Sequence, residues 1–121
     1  NEQPWRIELL KYIDRHHNSE YLYRQYILDI ILLQNFLTFN NIKYIMVRAL
    51  GNEFYFNNYH STTETLNQMV ETKYFMGWPS TGMVEWAQGC AKGAGGHFLD
   101  DGHQKVANKI YDYIRDLGWI S

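Results

Sequence analysis

The side chains in this sequence best placed to do chemistry crowd one short stretch, Gly96-His97-Phe98-Leu99-Asp100-Asp101-Gly102-His103. Two histidines six residues apart with acids between them suggest a metal site. The pair straddles a loop and a helix start, however, which is poor spacing for converging on one ion. Asp101 has a competing role as the N-cap of the helix predicted over Gln104 to Leu117, with Gln104 completing a capping box. Both aspartates also fall at the positive end of that helix dipole, which favours carboxylates whatever the chemistry. Cys90, the single cysteine, lies in Gly-Cys-Ala-Lys-Gly with nothing around it to activate a thiol, and reads as structural or incidental. No Gly-x-x-x-x-Gly-Lys-Ser/Thr or Gly-x-Gly-x-x-Gly occurs, so a phosphate cradle is unsupported. His16 and His17 sit at the end of a predicted helix, where the dipole favours imidazolium. As adjacent residues they cannot share one helical face toward a metal.

The spacing inside the stretch is more telling than its composition. His97 is followed by glycine five residues on, at Gly102, and alanine ten residues on, at Ala107. This resembles the C-terminal block of SGNH (GDSL-type) hydrolases, in which aspartate, two residues, histidine, proline, then glycine and alanine recur at these intervals. The resemblance implies that His97 is the general base. Phe98 stands where the family has proline, and Ala94 where it has the acid that orients the imidazole. A literal Asp-x-x-His also occurs at Asp100 and His103. Counting from His103 puts Asn108 and Tyr113 at the glycine and alanine positions, so His97 is the preferred register.

The 121 residues suit a single domain or the C-terminal part of one. A net charge of −2 argues against a polyanion partner, so no nucleic acid is expected. No apolar run approaches the roughly 20 residues that cross a bilayer. The expectation is a soluble chain without a membrane role, of undetermined compartment. It opens on Asn1 rather than methionine, which suggests a processed product, a trimmed piece or part of something longer. Aromatic residues make up 17%, including ten tyrosines, enough to serve either a core or a surface that stacks on sugars.

The elements that must position His97 follow from periodicity. Pro4 suits a first helical turn, and Trp5, Leu9, Tyr12, Ile13 and His16 recur at helical spacing, predicting a helix from Trp5 to His16. A second helix, capped by Asn18 or Ser19 and stopped at Asn40-Asn41, carries an apolar band wider than a surface helix needs. That width implies burial against a sheet and a neighbouring helix together, with Gln34 as a polar interruption. Ile42 to Val47 reads as a strand covered on both faces, hence parallel, with a second short candidate at Lys73 to Met76. Two short strands do not make a stable parallel sheet, so the remaining strands are expected from sequence outside these residues or from another chain. The aromatic, asparagine-rich stretch Gly51 to His60 follows the carboxyl end of the strand, where ligands bind in open α/β sheets, and reads either as a wall of a site or as an ordinary packed loop. Asn57 and Tyr59 within it, with Trp78 in the Gly-Trp-Pro-Ser turn, are the candidate binding residues. Thr62 to Glu71 and Gly82 to Gln88 have helical spacing, and Gly89, Gly93, Gly95 and Gly96 predict a mobile, close-packing backbone before His97.

The resemblance implies an α/β fold, mostly helical in this piece: the C-terminal part of a three-layer α/β/α domain of flavodoxin-like, SGNH type. The implied activity is that of an esterase or acyl hydrolase acting on an ester or acetylated carbohydrate, without cofactor or metal. Its partner would be the remaining N-terminal part of the domain, or another chain that completes the sheet. The family's serine, in a Gly-Asp-Ser motif after the first strand, is absent, as are its oxyanion-hole glycine and asparagine. Ser19, Ser61, Ser80 and Ser121 have no such context. The alternative is a non-catalytic carbohydrate-binding or structural module, for which the Asn-, Tyr- and Ile-rich composition suits a viral source.

Overall fold

The computed structural model describes residues 3–16, 19–50 and 61–121. Its order is α1 (Pro4–His16), α2 (Ser19–Phe39), β1 (Met46–Val47), α3 (Ser61–Gln68), β2 (Phe75–Met76), α4 (Met83–Trp86) and α5 (Asp100–Asp116). Single 3₁₀ turns lie at Thr72–Tyr74 and Ala94–Gly96. The chain is mostly helical, and β1 and β2 pair in a small two-stranded parallel sheet, a mixed α/β class. No helix among the described residues is long and apolar enough to cross a membrane. The chain divides into two compact units, Asn1–Ile45 with Glu53–Phe75, and Met46–Asn52 with Met76–Ser121.

In the first unit α2 is the central element. Tyr23, Ile27, Ile30, Ile31 and Gln34 form its buried face, against which α3 packs. The two helices are also tied by polar bonds: the Thr63 hydroxyl donates to Glu20 Oε1 at 2.8 Å, and the Tyr23 hydroxyl to Asn67 Oδ1 at 3.2 Å. Gln34, the polar interruption in the sequence, turns out to be a latch. Its Nε2 donates to the Glu71 carbonyl at 3.1 Å, and its Oε1 accepts from the Glu71 N–H at 2.9 Å. One side chain thus satisfies both backbone groups of a residue outside regular structure, which is how a buried amide escapes its desolvation cost.

The strand expected over Ile42 to Val47 is shortened to Met46–Val47. Asn41 adopts φ +56°, as the asparagine turn predicts, and the Ile42 N–H closes back on the Leu37 carbonyl at 2.9 Å. That bond commits Ile42 to the helix terminus rather than to a ladder, and its side chain is exposed. Residues 44–47 are half-buried rather than covered on both faces. At the other end of the chain α5 starts at Asp100, so the capping residue is Leu99, whose side chain makes no cap bond. Asp101 therefore lies inside the first turn, and Gln104 bonds Asn108 instead of completing a capping box.

Two outcomes follow. Gln34→Leu strands the Glu71 amide, while the Glu71 carbonyl keeps the Tyr74 N–H at 3.3 Å, and should cost about 1–3 kcal/mol in a urea titration, against little for the exposed Asn35→Ala. On α5, Ile110 is half-buried, and the Lys109 ammonium sits 5.2 Å over the Trp86 ring. Ile110→Ala should then cost about 1–3 kcal/mol and Lys109→Ala about 0.5–1 kcal/mol, a narrower gap than a strict division into core and solvent faces implies.

Candidate active site

All the geometry around His97 belongs to the second unit. The chain leaves β1 at Arg48, whose guanidinium is largely buried. Its Nη1 donates to the Pro79 carbonyl at 3.1 Å, while Nη2 donates to the Ser80 carbonyl at 2.9 Å and to Glu85 Oε1 at 2.7 Å. The Arg48 carbonyl accepts from the Met83 N–H at 2.9 Å. Gly82 permits this approach: a Cβ there would stand 2.3 Å from the Arg48 oxygen. The turn after β2 and the start of α4 are thereby fixed against the exit of β1.

The glycine-rich segment, expected to be mobile and close-packing, closes on itself. Lys92 and Phe98 form an antiparallel bridge. The Gly93 N–H donates to the His97 carbonyl at 2.8 Å, and the Leu99 N–H to that of Ala91 at 3.2 Å. Within this loop Gly95 and Gly96 take φ of +78° and +77°, a region glycine enters without steric cost. The Lys92 ammonium lies 5.0 Å over the Phe98 ring, and the Phe98 side chain packs onto Gly102. A Cβ on Gly102 would come within 2.7 Å of the Phe98 Cβ, so the glycine five residues after His97 has a local packing reason. Ala107, by contrast, is exposed on α5 and has none.

His97 and His103 both line a groove of about 290 Å³ just beyond the carboxyl end of β1, walled by Ala49, Leu50, Met83, Val84, Phe98 and Val106. The two histidine registers weighed from sequence therefore meet in one place. His97 is exposed, and its side chain holds no hydrogen bond to a described residue. Ala94, at the family's acid position, opens the 3₁₀ turn and is exposed. Asp100 and Asp101 lie in the first turn of α5 with exposed side chains, where the dipole favours them. Of the candidate binding residues, Trp78 is half-buried in the turn after β2 and does not line this groove. Asn57 and Tyr59 lie outside the described residues, as does the rest of Gly51 to His60.

Among the described residues no group of three or more His, Cys, Asp or Glu side chains could hold a metal. No serine lines the groove. Sequence reasoning passed over Met83, Val84 and Arg48. The first two were legible as apolar residues after a turn glycine, whereas nothing marked Arg48 as the clamp. In comparisons with known proteins the chain matches no family model, no curated protein and no solved structure.

The packing of Phe98 on Gly102 sets a test of the loop. Gly102→Ala should destabilise the unit by about 1–3 kcal/mol through overpacking, and the double variant with Phe98→Ala should recover part of that loss. Thermal melts of the four proteins in the cycle read the coupling; strict additivity would remove Phe98 from contact with Gly102.

Proposed function

We propose that this chain carries the catalytic-histidine portion of a serine ester hydrolase of SGNH type, with the nucleophile supplied by an N-terminal part of the same domain or by another chain. The observation that carries the reading is the position of His97. It stands on a closed glycine loop, beside a helix start that only glycine fits, in a groove past the carboxyl end of a parallel strand.

In that role a serine hydroxyl attacks the carbonyl carbon of an ester, and His97 takes the hydroxyl proton as the carbon–oxygen bond forms. The same imidazole then returns the proton to the departing alkoxide, and water repeats the cycle to release the acid. Backbone N–H donors of the supplied portion hold the oxyanion. Because Ala94 replaces the acid, His97 works as the base of a dyad or takes its orientation from a carbonyl or acid of the supplied portion. The second reading, a non-catalytic carbohydrate-binding or structural module, is favoured by the exposed aromatic side chains of Trp5, Tyr12 and Tyr111.

In the longer protein bearing the serine, His97→Ala should lower kcat on a small aryl or acetyl ester by several orders of magnitude. His103→Ala and Asp100→Asn should have far smaller effects, and Ala94→Asp should raise the rate by orienting the imidazole. The 121-residue chain alone should be inactive. Loss of hydrolysis with His103 rather than His97 would reverse the register, and absence of esterase activity from the longer protein would favour the binding module.

A further inference from the structure

The residues that line the groove beside His97 divide by depth. Met83, Val84, Phe98 and Val106 are half-buried and make its floor, while Leu50, His97 and His103 are exposed and make its rim. Apart from the two imidazoles, no described side chain lining the groove carries a charge, an N–H or an O–H. Glu85, Gln88 and Lys92 line a separate hollow that shares only Val84 and Phe98 with the groove. A ligand rich in hydroxyls would give up water in the groove and recover side-chain hydrogen bonds from two imidazoles alone, which is a net cost. A hydrocarbon chain loses nothing by entering and gains from leaving water. An apolar floor with a few polar groups at one edge is also the usual composition of a site that holds the body of a small molecule and orients its head.

Size narrows the choice further. An enclosed apolar cavity of about 150 Å³ holds a benzene ring. The groove has about 290 Å³ and is open along its rim, so it suits a chain of about six to eight carbons rather than an acetyl group. We infer that the groove is an acyl pocket, which takes the chain of a linear aliphatic ester over Val84, Phe98 and Val106 and leaves its carbonyl at the rim that carries His97. The substrate class is then a medium-chain ester and not an acetylated carbohydrate. The ester head rests on the serine-hydrolase reading proposed above. The affinity for the chain does not, because every residue lining the groove belongs to the second unit of this chain.

Two measurements separate these parts. In the longer protein bearing the serine, kcat/KM on p-nitrophenyl esters should rise about two- to fourfold for each methylene from acetyl to hexanoyl, roughly 16- to 250-fold in all. Val106→Phe, which fills the floor, should flatten that rise, and Val106→Ala, which widens it, should move the optimum to a longer chain. In the 121-residue chain without a nucleophile, the backbone amide NMR signals of Val84, Gly102 and Val106 should shift saturably with methyl hexanoate and not with methyl acetate at the same concentration. A longer protein that hydrolyses esters but slows as the acyl chain lengthens, or keeps one slope in both Val106 variants, overturns the acyl pocket and leaves the esterase reading standing. Saturable hexanoate shifts beside a longer protein without esterase activity do the reverse: the groove keeps its aliphatic ligand and the esterase reading falls. Amides that hexanoate leaves unmoved, or that acetate moves equally, overturn the acyl pocket whatever the longer protein hydrolyses.

Discussion

The groove exists because of one buried cation. Arg48 leaves the end of β1 with its guanidinium among two carbonyls and a carboxylate, and its own carbonyl holds the first N–H of α4. A charge drawn this far from water is costly unless its donors meet well-placed acceptors. The planar fork also explains why arginine serves here: it reaches the carbonyls of consecutive residues Pro79 and Ser80 from one position, which a lysine point charge does not. Met83 and Val84 can form one wall of the groove because α4 is pinned this way. Ala49 and Leu50 form another because they follow Arg48 directly. The site depends on a residue that never touches it.

The opposite wall is held by a different logic. A loop with two glycines at positive φ has a large conformational entropy to lose, and no capping side chain holds the start of α5. The loss is offset by closure at the base, where two backbone bonds flank the Lys92–Phe98 bridge, and by the seating of Phe98 on Gly102. His97 takes no part in this closure through its side chain. The imidazole therefore faces the groove without a structural duty to the loop that carries it.

These arrangements were unequally legible in the sequence. The helices were readable because apolar spacing at three and four residues is a local signal, and α1 and α2 fall close to where that spacing puts them. The strand was overestimated: Ile42 carries strand propensity, but its N–H is taken by the end of α2, a competition that composition does not reveal. Gln34 was visible only as an interruption, since its partner is the backbone of Glu71, and backbone partners leave no trace in residue identity. The same blindness hid Arg48, two of whose acceptors are carbonyls. The glycine spacing after His97 was legible as a pattern. Its local cause, the contact with Phe98, needed coordinates. Asn57 and Tyr59, read from an aromatic stretch without period, lie outside the described residues.

The short sheet and the two-faced α2 express the same imbalance. Each strand is two residues long, so the apolar stretch from Ile42 onward is only partly used, and α2 has the band of a core helix with a partner on one side. The buried side of α2 needs Gln34 to reconcile its polar neighbour, whereas the exposed side sets its apolar stripe among Gln25, Asp29, Asn35 and Thr38.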